Sequence, residues 1–203
     1  MIDSTSEVHP TVKVHATTLI HPTAKIHSTA DVSPEAKIGN NVKIWHQAQV
    51  REGAVIGDNC ILAKNVYVDK GVIIGANCKI QNNSSLYHGV TLERGVFIGP
   101  HCVTTNDRQP RAINSDGTLK KDRDWEEGKI VIKEGASLGA RVVVLPGVTI
   151  GRFALIGAGS VVTKEVPDFG LVYGSPARLV GYVCVCGKKL EEGQKAGEKC
   201  GKH

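Results

Sequence analysis

A chain of 203 residues has room for one ordinary domain with a small appendage and none for a second large domain. Aromatic residues make up only 4% while glycine is abundant at 23 residues, which excludes a broad aromatic core and points to narrow, repetitive β-structure filled by aliphatic side chains. The net charge of +5 is dispersed, with few aromatics to stack on bases, so no nucleic-acid partner is expected; without ~18 consecutive apolar residues or a signal-like start, neither membrane insertion nor secretion is expected, and the expected setting is the cytoplasm with reduced thiols.

From the N-terminus the chain repeats every six residues. Stepping by six from Val8 through Val14, Ile20 and Ile26 to Ile98 meets an aliphatic residue every time, and the register resumes from Ile132 to Val162, giving 22 hexads. A smaller residue follows four places on, as at Ala24, Ala36, Cys60, Cys78 and Cys102, so three of the six cysteines read as small interior fillers. Asn or Gly recurs three places on, as at Asn41, Asn59, Asn83 and Gly89, where a tight corner requires positive φ. Neither a helix nor a flat strand has period six, so the repeat means short strands joined by regular corners, three to a coil. The predicted fold is all-β: a parallel β-helix of about seven coils, each covering the sheet edge of the next. His9, His15, His21 and His27 also recur every six residues, but consecutive hexads lie on different faces, which argues for a place beside the corners and against a metal site.

Residues 104–131 interrupt the register with a long polar side loop. Its Arg108, Arg111, Lys120, Lys121 and Arg123 suit phosphate groups, Trp125 is its one large anchor, and its length lets it reach a neighbouring prism. The repeat is expected to form one domain over residues 1–166, followed by an appendage over 167–203. Within the appendage, Ser175-Pro176 reads as an N-cap and first-turn proline, predicting a short C-terminal helix over roughly 176–183. Cys184, Cys186, Cys200 and His203 then form a chemically suitable set for structural zinc, although C-x-C departs from the usual spacing and a basic tail of reduced thiols is the alternative.

The repeat, in instances such as IGDNC, IGANC and IGAGS, resembles the hexapeptide-repeat acyltransferases. That resemblance implies a left-handed prism, a homotrimer, and acetyl-CoA lying in a groove between subunits. The segment KIQNNSSLYHGVTLERGVFIGP, the TND at the loop start and the closing GSPAR narrow it, over roughly residues 38–187, to nucleotide-sugar N-acetyltransferases acting on a 3-amino sugar linked to UDP or dTDP. On that likeness Asn82 and Asn83 orient the amine or polarise the carbonyl, while either His88 or the departing CoA thiolate takes the proton. Tyr87, Asn106, Asp107, Arg108 and Arg111 hold the sugar or its pyrophosphate. Backbone at Ala140, Gly157 and Ala158 meets the pantetheine, and Lys164 or Arg178 meets the phosphates. The implied role is a surface-polysaccharide or glycan precursor step, such as one of lipopolysaccharide biosynthesis.

Two features depart from those relatives: His88 replaces a usual acidic residue, and four or five hexads precede Ile38. Hydroxyl-acetylating relatives carry a histidine at the loop start because an alcohol needs a base, whereas this chain has Thr105-Asn106-Asp107, which favours an amine acceptor. Three alternatives stand beside this reading: another hexapeptide O- or N-acyltransferase, a non-enzymatic scaffold, and a γ-type carbonic anhydrase, for which only His101 is available where a later histidine pair is expected.

Overall fold

A computed structural model describes residues 19–191 together with 194, 196 and 197. The hexads at Val8 and Val14 lie outside the described residues. From β1 (Leu19–Ile20) to β21 (Val161–Val162) the chain forms strands of two or three residues, each with one side chain outward and the next inward. Lys25, Lys37, Lys43 and Lys79 are exposed, whereas Ile26, Ile38, Ile44 and Ile80 are buried.

Parallel pairing runs Ile20↔Ile38, Ile38↔Ile56, Ile56↔Ile74 and Ile74↔Leu92, an 18-residue step that is three hexads. The interior is a stack of aliphatic rungs, in which each Val, Ile or Leu side chain contributes about 1.5–3 kcal/mol when removed from water. Cys60, Cys78 and Cys102 are buried among them, as their spacing implies. Backbone groups bond to the adjacent coil, as in Lys43 N–H to Cys60 O at 2.8 Å, so each coil satisfies the next one's edge. Corner asparagines reinforce the stack: Asn65 Nδ2 donates to Asn83 Oδ1 at 3.0 Å, and both residues have positive φ. The three sheets contain seven, nine and seven strands, the arrangement of a left-handed β-helix.

Three details depart from the sequence reading. Thr104, in β15 (Val103–Thr104), takes an interior position that hexads usually give to an aliphatic residue; its hydroxyl is satisfied by the Ser85 carbonyl at 3.3 Å. The chain re-enters the prism at β16 (Ile130–Ile132). At the far end, the expected helix over 176–183 is a strand: β22 (Gly170–Gly174) pairs antiparallel with β23 (Ala177–Tyr182). The cause is tertiary, because β22 adds to the second sheet alongside β20 (Leu155–Ile156) and leaves an open edge, which the returning chain covers. This hairpin also makes the second sheet nine strands deep, two more than the seven coils expected. Among the described residues the helical content is one 3₁₀ turn in the side loop, Asp122–Asp124, and no helix is long and apolar enough to cross a membrane.

Candidate active site

The 18-residue coil places residues at that spacing in columns along the prism edges. One edge, where the third sheet turns into the first, carries Arg51-Glu52, Asp69-Lys70, Tyr87-His88 and Thr105-Asn106 in succession. Beyond the side loop, Leu145-Pro146 and Thr163-Lys164 continue the same edge. The previous edge, between the second and third sheets, carries Asn82-Asn83, Ala140 and Gly157-Ala158. The candidate residues thus flank one face of the prism.

On the first edge the organising group is Asp69, only 8% exposed. Its carboxylate accepts the Lys70 N–H at 2.8 Å, the Tyr67 hydroxyl at 2.9 Å, the His88 N–H at 3.1 Å and the Arg51 guanidinium at 3.2 Å. Burial pushes this carboxyl up, but the Lys70 N–H, Tyr67 hydroxyl and His88 N–H, with the Arg51 charge, outweigh it and hold the group below the ordinary aspartate value. Burial raises the Tyr67 phenol, whose ring packs edge-on against Tyr87 at 5.7 Å.

His88 stands on this platform. Its Nδ1 lies 2.7 Å from the Lys70 carbonyl, which can only accept, so Nδ1 carries the proton and the neutral ring presents its lone pair at Nε2. Nε2 is 3.4 Å from Glu127 Oε1. Asn106 Nδ2 donates to the His88 carbonyl at 3.4 Å, and the Tyr87 N–H donates to Thr104 Oγ1 at 3.1 Å. The loop closes on itself here, because Asp107 pairs with Glu127 in an antiparallel bridge and the Gly128 N–H donates to Asn106 O at 2.9 Å.

Beside the loop base lies a groove of about 660 Å³, lined by Thr105, Asp107, Arg108, Leu145, Gly147 and Lys164 among others. Lys164 also lines a cleft of about 230 Å³ with Arg178, so the two cations expected at phosphates share one wall. Arg111 lies further out, its guanidinium donating to the Pro110 carbonyl at 3.0 Å.

On the other edge, Asn83 is a rung of the corner ladder, accepting from Asn65 and lying 3.3 Å from His101 Nε2. Asn82 is exposed, with its carbonyl taken by the His101 N–H at 2.9 Å. Ala158 is exposed, while the Gly157 N–H is bonded to Val172 O at 2.8 Å and the Ala140 carbonyl to the Gly159 N–H at 2.8 Å. Within one subunit Asn82 and Asn83 are therefore not brought to His88; a prism face separates them.

The tail is described only in part: Cys184 is buried and Cys186 exposed, while Cys200 and His203 lie outside the described residues. Among the described residues no group of three or more His, Cys, Asp or Glu could hold a metal ion, and the zinc expectation gains no support.

Sequence reasoning missed Asp69, Arg51 and Glu127. The first two could have been found by scanning at 18-residue spacing, since Arg51, Asp69 and Tyr87 form one column. Nothing in the repeat announces Glu127, which reaches His88 only because the side loop folds back.

The sequence matches two family models: the GMPPB C-terminal domain over residues 14–106, and the bacterial transferase hexapeptide of six repeats over residues 129–164. The second match places the bacterial transferase hexapeptide repeat on the coils that follow the side loop. The chain is similar to the dTDP-3-amino-3,6-dideoxy-α-D-galactopyranose 3-N-acetyltransferase of Aneurinibacillus thermoaerophilus, at 53% identity over 64 residues, covering 32% of this chain and 33% of that protein. It is 39% identical over 88 residues to the galactoside O-acetyltransferase of Lactococcus lactis subsp. lactis, covering 41% of this chain and 42% of that one. The match thus spans about a third to two fifths of these curated relatives. A hexapeptide-repeat acetyltransferase of Vibrio cholerae, solved with acetyl coenzyme A, superposes with a TM-score of 0.55 at 26% identity, covering 64% of this chain and 70% of that one.

Proposed function

We propose that this chain is an acetyl-CoA-dependent N-acetyltransferase whose acceptor is the amino group of a nucleotide-linked amino sugar. The observation that carries the reading is the His88 edge: an imidazole fixed at Nδ1, on a backbone tied to Asn106 at the loop start, where Thr105, Asp107, Arg108 and Lys164 line a groove. The likeness to the dTDP-amino-sugar acetyltransferase supports the acceptor class. In this scheme the amine nitrogen attacks the thioester carbonyl, the C–N bond forms, the C–S bond breaks and CoA leaves as the thiolate. The proton lost from nitrogen passes to His88 Nε2. Asp69 contributes by fixing the His88 backbone, and the Lys70 carbonyl by fixing the ring tautomer.

Asn82 and Asn83 belong to this site only if another subunit supplies them, and a homotrimer packed along the flanked face sets one subunit's Asn edge beside its neighbour's His88 edge. Asp107, Arg108 and Arg111 then face the sugar or its diphosphate, which suits the parallel donors of guanidinium. Pantetheine runs past Ala140, Gly157 and Ala158. On this reading the setting is the cytoplasm, and the product class fits a precursor of surface polysaccharide, lipopolysaccharide included. The similarity to the lactococcal O-acetyltransferase makes a hydroxyl acceptor the second reading.

Lys164 and Arg178 are the CoA phosphate contacts in this account. Replacing both by Ala raises the KM for acetyl-CoA by about tenfold while kcat changes little, because two charge-assisted contacts made equally in ground and transition states are lost. Initial-rate kinetics check this, and an unchanged KM would refute the placement.

A further inference from the structure

Glu127 has a geometry that the proposed chemistry does not yet use. Its Oε1 is buried and has no hydrogen-bond partner, an unusual position for a carboxylate oxygen. The nearby nitrogen is His88 Nε2 at 3.4 Å, and the other ring nitrogen is committed to the Lys70 carbonyl. With a neutral ring, a lone pair faces a carboxylate and nothing joins them. One proton on Nε2 turns the same two atoms into a charge-assisted hydrogen bond.

The arrangement is held from both sides. Gly89, at φ +88°, leaves the space that Glu127 fills, since a Cβ there would lie 2.6 Å from Oε1. The backbone bridge to Asp107 pins Glu127 at the loop base. The charged groups facing the ring are Asp69 and Lys70 from the preceding coil and Glu127 from the loop, with Asp107 across the loop base. Asp69 is occupied by Arg51, Tyr67 and two backbone N–H groups, and the Lys70 ammonium lies 3.8 Å from Asp122. Among the described residues, Glu127 is the acidic group left to compensate a charge on the ring. The His88 side chain keeps 36% exposure, so a proton has an open edge by which to arrive.

We infer that Glu127 is a positioning residue that acts through His88, so that the His88–Glu127 pair, rather than the ring alone, receives the proton released by the attacking amine. The inference rests on the acetyl-transfer reading for its place in turnover, but the pair itself does not. As the C–N bond forms and the C–S bond breaks, the amine proton moves to Nε2 and the imidazolium is held against Oε1; the proton then passes to the departing thiolate or to water, restoring the neutral ring.

The test is Glu127→Gln in the full chain, with Glu127→Asp as the conservative variant and the His88 ring resonance, assigned through His88→Asn, followed by NMR across pH. The expected results are that the His88 titration moves to lower pH in Glu127→Gln and partly recovers in Glu127→Asp, and that kcat falls about tenfold with the acid limb of kcat/KM displaced the same way. A displaced titration in a protein with no acetyl-transfer activity supports the pair and rejects the function. An undisplaced titration in a folded variant overturns the pair, and a raised acceptor KM with an unmoved pH profile overturns it in favour of direct substrate contact.

Discussion

Replacing His88 by Asn lowers turnover by roughly 10²-fold or more and flattens the acid limb of the pH profile. Asn is chosen because its amide can still donate to the Lys70 carbonyl, as Nδ1 does now, so the edge keeps its shape while losing the atom that accepts a proton. The sign follows from the role: a base works only when unprotonated, so activity rises with pH through the ring's titration, and that rise vanishes with the ring. Steady-state rates of CoA release over a pH series check it. If the CoA thiolate takes the proton instead, His88→Asn costs little, and Asn83→Ala costs more because orientation then carries the rate.

The second large effect concerns stability. Asp69→Ala lowers the unfolding free energy by about 2–3 kcal/mol, because the Tyr67 hydroxyl, the His88 and Lys70 N–H groups and the Arg51 charge lose their shared acceptor together. The pH dependence has a definite sign. The folded-state carboxyl is held below its ordinary value, so the unfolded chain binds its proton first as pH falls. The contribution is complete above about pH 4 and is lost progressively below it. Denaturant unfolding near neutral pH and near pH 3 checks both parts: the gap between native protein and Asp69→Ala narrows at the acid end. A gap that widens on acidification contradicts the assignment.

Much of the prism was legible because its physics is repeated. Ile38, Ile44 and Ile56 are buried for the same reason each time, and Asn41, Asn59 and Asn77 turn corners with the same positive φ. The C-terminal helix was misread because local cues at Ser175-Pro176 compete with a sheet edge that exists only after the coils have stacked. The site divides along the same line. His88, Asn106 and Asp107 were singled out on the likeness of the QNN segment and the TND loop start, and they lie together at one loop base. Asn83 was read as an orienting group as well as a corner residue, and it does sit in the corner ladder, a prism face away from His88. Glu127 was illegible for a different reason. It lies 39 residues beyond His88, across a loop with no period to count along.

The central claim is tested most directly by incubating the full chain with acetyl-CoA and a dTDP- or UDP-linked amino sugar, alongside the matching sugar bearing a hydroxyl in place of the amine, and identifying the product by mass spectrometry and NMR. The account predicts stoichiometric release of CoA with a new amide on the sugar nitrogen, and little turnover of the hydroxyl analogue. Acetylation of the hydroxyl analogue at an equal or greater rate, or no acetyl transfer to any amino sugar, contradicts it.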